Sequence, residues 1–228
     1  MGGARVIILA LDTSTPATAV ALGCAGGAPR EARDDPPPGA RPQHAQRLLA
    51  LAAGLLRDAG LGFAEVGLVA AGVGPGGYTG LRIGLATARG LALASGAELT
   101  GIGTLRALAE PVHGRAAAAV LDARRGEAFV AVYRDGAQLS APRVCRPEEL
   151  PAIVRAGGPD VLAVGDGALR FQAVLEADGV AVAPVHDERH RVSAAAIWRL
   201  AADGVLTAPV PDYLRLSDAE RAAQPSTR

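Results

Sequence analysis

Four residues near the N-terminus, Asp12-Thr13-Ser14-Thr15, carry side chains that could hold a phosphate and a hydrated magnesium ion. Hydroxyl and turn amide groups would donate hydrogen bonds to the phosphate, and the Asp12 carboxylate would orient water on the metal. The same residue types also form turns in which they satisfy their own backbone. We therefore take Asp12, Thr13 and Ser14 as candidate cofactor-binding residues and keep the self-satisfied turn as the alternative.

The glycine-rich segment 72–84, Gly-Val-Gly-Pro-Gly-Gly-Tyr-Thr-Gly-Leu-Arg-Ile-Gly, is the strongest pattern in the chain. Glycines that lead into a helix leave backbone N–H groups free to bind an anion. The chain contains no lysine, however, so the segment is not a P-loop. The same absence excludes Schiff-base chemistry.

Small residues recur every four positions along the helix predicted for Thr79–Ser95. They are Gly80, Gly84, Ala88 and Ala92. A smooth helix face lets another element approach closely, either the chain's own sheet or its Leu48–Ala59 helix, or a helix of a partner protein. Tyr78 and Arg82 are of the types that often dominate partner surfaces. We favour docking and keep internal packing as the alternative.

The remaining candidates for chemistry are histidines. His186 and His190 have the i, i+4 spacing of a metal pair on a helix. No third ligand accompanies them, and a catalytic zinc needs three, so we predict no metal site and keep a metalloprotein as an alternative. His44 stands alone near a predicted helix start, where a polar contact at the first turn is the simplest interpretation.

The elements that position these residues follow from apolar runs and turn residues. Strands are predicted at Val6–Leu11, Thr18–Leu22, Val66–Val73 and Glu98–Gly103. The proline-rich stretch 28–42 is predicted to be a loop, and Pro42 to open a helix that ends at Gly60.

The second half of the chain resembles the first in its order of patterns. Ala117–Leu121 is an apolar run followed by Asp122 and a turn, and Glu127–Tyr133 is a second strand. Asp122 and Asp12 lie 122 − 12 = 110 residues apart. Further elements are a helix at Pro147–Ala156, a strand at Val161–Val164, a helix Ala194–Ala202 capped by Ser193, and an extended segment 209–215. The repeat indicates a duplicated α/β unit without proving it.

Composition limits the class of protein. The 228 residues include 23 basic and 23 acidic side chains, so we expect no large nucleic-acid footprint. No apolar run reaches the roughly 18–20 residues of a membrane span, and the N-terminus lacks a signal-peptide pattern. Cys24 and Cys145 have no CxxC spacing, which favours reduced, structural thiols. We expect a cytoplasmic protein without membrane contact.

Four motifs in order along residues 6–216 resemble the TsaB (YeaZ) family. They are Ile8-Leu-Ala-Leu-Asp-Thr-Ser-Thr15, Gly74–Gly84 with Gly90-Leu-Ala-Leu93, Leu121-Asp-Ala-Arg-Arg-Gly-Glu127, and Tyr213-Leu-Arg215. Gln43–Leu49 also resembles the family's first long helix. Family members often have Ser and Phe where this chain has Gly77 and Tyr78.

The resemblance implies a fold and a division of the chain. The fold is α/β, a duplicated actin-like and RNase H-like (ASKHA) fold with two lobes of mixed sheet and helices. Residues 1–107 would form the first lobe with partner-docking helices. Residues 108–216 would form a smaller second lobe whose C-terminal segment returns to the first, and 217–228 a disordered tail.

The resemblance also implies a function. The chain would be a non-catalytic subunit that binds and activates TsaD, together with the ATPase TsaE, in synthesis of threonylcarbamoyladenosine next to the tRNA anticodon. ATP and Mg would be used by the complex and not bound by this chain alone, and tRNA contact would be indirect. The partner-binding residues predicted on the two helices are His44, Leu48, Leu51, Leu55, Tyr78, Thr79, Gly80, Arg82, Ile83, Gly84 and Thr87.

Two questions stay open at this level. An independent ATP-dependent small-molecule kinase of the same broad fold, using Asp12 and Asp122 near phosphate, is the alternative function. A homodimer is plausible when TsaD is absent, because an apolar helix face would otherwise meet water.

Overall fold

The computed structural model describes residues 6–37 and 39–214, and within them the strands form two five-stranded sheets. The first sheet has the order β3-β2-β1-β4-β5. Its strands are β1 Ile7–Asp12, β2 Thr18–Cys24, β3 Arg30–Asp34, β4 Val66–Gly74 and β5 Glu98–Gly103. Strands β1, β2 and β3 form an antiparallel meander, whereas β4 runs parallel to β1, and β5 runs parallel to β4.

The second sheet repeats this arrangement. Its order is β10-β9-β6-β7-β8, with an antiparallel β6-β7-β8 meander and β9 and β10 parallel to β6. The strands are β6 Ala116–Asp122, β7 Ala128–Arg134, β8 Ala137–Cys145, β9 Leu162–Val164 and β10 Ala181–Val182. Asp12 and Asp122 therefore end equivalent strands, at the same point of two equivalent sheets.

The helices complete the repeat. They are α1 His44–Asp58, α2 Tyr78–Ser95, α3 Thr104–Ala109, α4 Leu150–Val154, α5 Asp166–Arg170, α6 Gln172–Ala177 and α7 Ala194–Ala202. Each half reads strand, strand, strand, helix, strand, helical segment, strand, helix. This confirms the predicted duplicated α/β fold, with two lobes of mixed sheet and helices.

Both faces of each sheet are covered, which explains why central strands such as β1 are almost uniformly apolar. Helices α1 and α2 cover one face of the first sheet. The opposite face packs against α7, whose Trp198 donates from its indole nitrogen to the Ile8 carbonyl oxygen at 3.1 Å. In turn α3, from the first half, packs on the second sheet. The last helix of each half of the chain thus packs on the sheet of the other half.

The element predictions were mostly confirmed, with differences at polar strands. Helix α2 lies within a residue of its predicted bounds and ends at Gly96, whose φ is +72°. The Ser193 hydroxyl accepts from two backbone N–H groups at the start of α7, as predicted. The predicted loop 28–42 was wrong in part, because it contains β3. Helix α1 begins at His44, two residues beyond Pro42.

The predicted boundary between residues 107 and 108 falls inside α3, and the domain limits stay predictions. The segment 217–228 lies outside the described residues. No helix in the described part of the chain is both long and apolar enough to cross a membrane.

Candidate functional site

The turn after β1 and the glycine-rich segment hold each other by two hydrogen bonds. The Gly77 N–H donates to the Ser14 carbonyl oxygen at 2.7 Å. The Thr13 hydroxyl donates to the Gly80 carbonyl oxygen at 2.7 Å. The first turn of α2 is therefore fixed on the end of β1.

Glycine is required where α2 meets this turn. A Cβ added at Gly76 would lie 2.4 Å from the Ser14 carbonyl oxygen, and one added at Gly80 would lie 2.0 Å from the Thr13 carbonyl oxygen. At Gly84 it would lie 2.3 Å from Thr13 Oγ1. Real Cβ atoms essentially never approach this closely, so these positions admit no side chain without a shift of the backbone or of Thr13.

The small-residue face of α2 therefore points into the molecule. Gly80, Gly84, Ala88 and Ala92 are all buried. This burial supports the alternative of internal packing, and the partner-binding role predicted for this face stays a prediction. The four-residue spacing brings α2 close to β1 and β4, which leaves Gly80 and Gly84 little surface for direct contact with a partner.

The other predicted partner-binding residues divide by exposure. Buried in the first lobe's own core or beside it are His44, Leu48 and Leu55. Half-buried are Leu51, Tyr78, Ile83 and Thr87, and exposed are Thr79 and Arg82. Only the last two sets can contribute to a surface, and their partner role stays a prediction.

A cleft of about 840 Å³ lies between the two lobes. Its walls come from the β1 turn, the start of α2, the turn after β6 and the C-terminal segment. The charged lining residues are Arg82, Arg124, Arg125, Asp122, Asp166 and Asp212. The volume suits a ligand of nucleotide size.

The C-terminal segment closes one side of this cleft. The Asp212 N–H donates to the Val73 carbonyl oxygen at 2.7 Å. Tyr213 stacks on Tyr78 with ring centroids 4.9 Å apart, and Arg82 donates from Nε to the Tyr213 hydroxyl at 3.1 Å. Arg82 also lies over the Tyr78 ring, 4.0 Å from its centroid. These two predicted anchors thus hold the chain's own C-terminal segment.

Asp12 does not line the cleft. Its Oδ1 accepts from the Ser14 N–H at 3.0 Å and from the Ser14 hydroxyl at 2.8 Å. Its Oδ2 is buried without a hydrogen-bond partner in the described chain, and a Cβ on Gly72 would lie 2.0 Å from it. Burial raises the pKa of Asp12 to about 6, against the hydrogen bonds from Ser14. This is the turn that satisfies its own backbone.

The cofactor-binding role predicted for Asp12, Thr13 and Ser14 stays a prediction, and the geometry limits it. The Asp12 carboxylate is turned away from the cleft, and the Thr13 and Ser14 hydroxyls donate inward to Gly80 and Asp12. Thr13 and Ser14 still line the cleft. Their side-chain donors are already used, so what they could offer a ligand is limited.

The second lobe places its aspartate differently. Asp122 Oδ2 lies 2.9 Å from Arg170 Nη1 and 3.3 Å from Arg124 Nη1. The Asp122 N–H donates to Asp166 Oδ1 at 3.0 Å, and burial raises the pKa of Asp166. Asp166 was not predicted as a site residue, because no spacing in the sequence links it to Asp122. The charge of the cleft therefore comes mainly from the second lobe.

His44 lines the cleft from the start of α1. Its Nδ1 lies 2.9 Å from the Thr18 hydroxyl, and burial lowers its pKa. The expectation of a polar contact at the first turn is confirmed. A neutral ring fits this contact, since one ring nitrogen of neutral histidine accepts while the other donates.

His190 is part of the core. Its Nδ1 lies 3.1 Å from the Gly165 backbone nitrogen, and its Nε2 lies 3.0 Å from the Ala183 carbonyl oxygen. Both ring nitrogens are thus engaged with backbone. Within residues 6–37 and 39–214, no cluster of three potential metal ligands includes His186 or His190. The geometry gives the metalloprotein alternative no support.

Comparison with known proteins agrees with the two-lobe architecture. The family model described as TsaD, tRNA N6-adenosine threonylcarbamoyltransferase, matches residues 36–181. The TsaB protein of Haemophilus influenzae is 31% identical over 188 residues, 75% of this chain and 77% of that protein. The TsaB protein of Escherichia coli is 35% identical over 138 residues. This match covers 56% of this chain and 54%, or about half, of the length of that relative.

A solved structure extends the likeness over nearly the whole chain. YeaZ from Pseudomonas aeruginosa superposes with a TM-score of 0.73 at 30% identity. The match covers 92% of this chain and 100% of that one.

Proposed function

We propose a partner-subunit function from one premise: the chain belongs to the TsaB (YeaZ) family. The chain would take part in tRNA threonylcarbamoyladenosine biosynthesis as a non-catalytic subunit. It would bind and activate TsaD and act together with TsaE. ATP and Mg would be used by the assembled complex, and tRNA would be contacted through it.

The observation that carries this proposal is the outward face of the α1–α2 pair. Leu93 on α2 has 87% of its surface exposed, and Leu49 on α1 has 47%. Apart from its chain neighbours and the backbone of its own helix, Gly90 has no atom within 4 Å of the place where its Cβ would be. A glycine inside a helix is unfavourable by roughly 1 kcal/mol relative to alanine, so its presence on an open face fits close approach by another chain.

Other side chains of α2 also lie outside the buried stripe. Ile83 and Thr87 are half-buried, and Ala86 and Ala94 are exposed. With roughly 3.6 residues per turn, Gly90 and Leu93 lie on the side of α2 opposite the buried stripe, and Ile83 and Thr87 lie between the two. Our proposed docking surface is this side of α2, which we define as Ile83, Thr87, Gly90 and Leu93.

The choice of TsaD as partner rests on shared architecture. The TsaD-type family model matches this chain across both lobes. Two chains with the same fold can associate by equivalent surfaces related by an approximate two-fold axis, as identical subunits do. The same argument allows a homodimer through this surface when TsaD is absent, in competition with the heterodimer.

Leu93→Glu tests the surface. We expect at least about a tenfold loss of affinity for purified TsaD by calorimetry, because a charge would be buried in an apolar contact. Leu139→Glu is the matched control, since Leu139 is 43% exposed on the edge strand of the second sheet, and it should bind as the wild type does. Equal affinity of both variants would remove this surface from the proposal.

Two other substitutions are poor probes of docking. Gly84→Arg would drive a side chain into Thr13, and Tyr78→Ala would remove the ring that stacks on Tyr213. Either could weaken TsaD binding through the fold of the first lobe.

An assay of threonylcarbamoyl transfer to tRNA tests the functional role. Threonylcarbamoyl transfer to tRNA by TsaD and TsaE, with ATP and Mg, should rise when this chain is added and fall again with Leu93→Glu. Activity independent of the chain would contradict the role of an activating subunit.

The kinase alternative gains nothing from the first lobe. Such an enzyme would need Asp12 near the phosphates, and Asp12 instead packs over Gly72 with its Oδ2 buried. We therefore expect Mg-ATP to leave the melting temperature of the isolated chain unchanged.

A further inference from the structure

A second cavity, of about 370 Å³, lies apart from the cleft, beside the second sheet and the C-terminal ends of α3 and α7. Ala117, near the start of β6, lines it, whereas Asp122 at the other end of β6 lines the cleft. The two spaces therefore open at opposite ends of the same strand. The cavity is lined by Arg106, Ala109, Glu110, Val112, His113, Ala117, Tyr133, Asp135, Gly136, Leu200, Asp203 and Val205.

Arg106 brings an unpartnered guanidinium to this cavity. Its Nε is buried and has no hydrogen-bond partner among the residues the structure describes. Glu110, directly after α3, already accepts from Arg199 Nε at 2.7 Å and from Arg199 Nη2 at 2.8 Å. A buried donor without an acceptor is unfavourable, and a ligand oxygen would relieve it.

Tyr133 brings a second unpartnered donor. The residue is 5% exposed, it lines the cavity, and its hydroxyl makes no hydrogen bond within the described part of the chain. Burial raises the pKa of Tyr133 to about 12, against the effect of the nearby Arg106 charge. The hydroxyl is therefore a neutral donor at physiological pH, close to a fixed positive charge.

Acidic side chains also line this cavity. Asp135 and Asp203 are both exposed and both line it, and Asp135 Oδ1 accepts from the Gly114 N–H at 3.3 Å. The lining also includes the apolar side chains Val112, Leu200 and Val205. A guanidinium and a phenol suit a carboxylate, the two aspartates suit an ammonium group, and the apolar side chains suit an aliphatic side chain.

We propose that this cavity binds a free α-amino acid with an apolar side chain. The ligand's carboxylate accepts from the Arg106 guanidinium and the Tyr133 hydroxyl. Its ammonium group faces Asp203 or Asp135. The site is independent of the TsaD-docking surface and would exist in the isolated chain.

The chain offers a direct reporter, since it contains three tyrosines: Tyr78, Tyr133 and Tyr213. Protein labelled with 3-fluorotyrosine should give three fluorine NMR signals, and Tyr133→Phe identifies the one that belongs to the cavity. L-Leucine at millimolar concentration should move the Tyr133 signal and leave the other two in place. Movement of the Tyr78 or Tyr213 signal alone would place the ligand in the cleft and overturn the proposal.

Three probes separate the groups of the ligand. L-Leucine should bind best, 4-methylpentanoate at least about tenfold more weakly because it lacks the ammonium group, and L-leucinamide weakest because it lacks the carboxylate. Equal binding of leucinamide and leucine would contradict the role of Arg106 and Tyr133. No response to leucine would overturn the site itself.

Arg106→Gln tests the cationic anchor. It should lower leucine affinity at least about tenfold without lowering the melting temperature, because the buried Nε has no partner to lose. Arg143→Gln, on the edge strand β8, is the control and should bind leucine normally. Unchanged affinity in Arg106→Gln, with the Tyr133 signal still responding, would overturn the proposed arrangement.

Discussion

Asp12 and Asp122 occupy equivalent positions in the two lobes, yet their surroundings differ. Asp12 is buried, accepts two hydrogen bonds from Ser14 and leaves Oδ2 without a partner in the described chain. Asp122 faces the cleft and pairs with Arg124 and Arg170. Duplication fixed where each aspartate stands, but the neighbouring side chains decide what each carboxylate can do.

A second feature is shared by the lobes, namely glycine at the contact between a helix start and the end of the central strand. In the first lobe Gly80 packs on Thr13, and in the second Gly167 packs on Leu121, where an added Cβ would lie 2.6 Å from the backbone carbon. The close approach of helix to strand is thus a property of the repeated unit. The chemistry of the aspartates is a property of each copy.

Adding a single methyl group at these contacts should have the largest effect. Gly80→Ala places Cβ 2.0 Å from a backbone oxygen, and we expect it to lower the free energy of unfolding by about 3 kcal/mol or more in chemical denaturation. Gly90→Ala, the same change on the open face of α2, should instead raise it by about 0.5–1 kcal/mol.

Gly167→Ala extends this test to the second lobe and should also destabilise. If Gly80→Ala were as stable as Gly90→Ala, the close contact of α2 with Thr13 would be disproved. If only Gly80→Ala were destabilising, the close contact between helix and central strand would be a property of the first lobe alone.

Asp12→Asn should stabilise the protein at neutral pH. The pKa of Asp12 rises from 3.8 to about 6 on folding. Above pH 6 the ionised carboxylate therefore lowers the free energy of unfolding by about 3 kcal/mol. The asparagine oxygen can keep the bonds from Ser14, but its amide N–H groups lack an acceptor, so we expect a net gain of about 1–2 kcal/mol.

The pH dependence of this effect has a fixed sign. Because the folded state holds the Asp12 proton more tightly, the aspartate's favourable contribution is complete below pH 3.8 and is lost as pH rises through about 6. Denaturation at several pH values should therefore show the advantage of asparagine growing between pH 4 and pH 7. A constant difference across that range would show that Asp12 is not buried as described.

Asp122→Asn should have the smallest effect. The Asp122 side chain is 9% exposed, but the arginines that pair with it have 66% and 47% of their side-chain surface exposed, so we expect these ion pairs to contribute less than about 1 kcal/mol each. Unlike Asp12→Asn, this change should slightly lower the free energy of unfolding at neutral pH. A stabilisation as large as that of Asp12→Asn would remove the contrast between the two sites.

The local pattern of the sequence determined much of the fold. Apolar runs such as that of β1 predicted the central strands, and periodic leucines together with Gly60 predicted α1 and its end. Strands β8 and β10 were not predicted, and neither was β3, an edge strand of mainly charged residues, Arg-Glu-Ala-Arg-Asp, that carries no apolar alternation. The family resemblance was likewise set by motifs that the sequence shows on its own.

Tertiary structure alone decided which way each candidate faces. The spacing of Gly80, Gly84 and Ala88 defines one face of a helix, but it cannot say whether that face meets the chain's own sheet or a partner. Only the packing of α2 on Thr13 settles this, because the direction of a helix face depends on contacts 67 residues away in the chain. The unpartnered donors of Arg106 and Tyr133 became visible for the same reason, since residues distant in sequence form that cavity together.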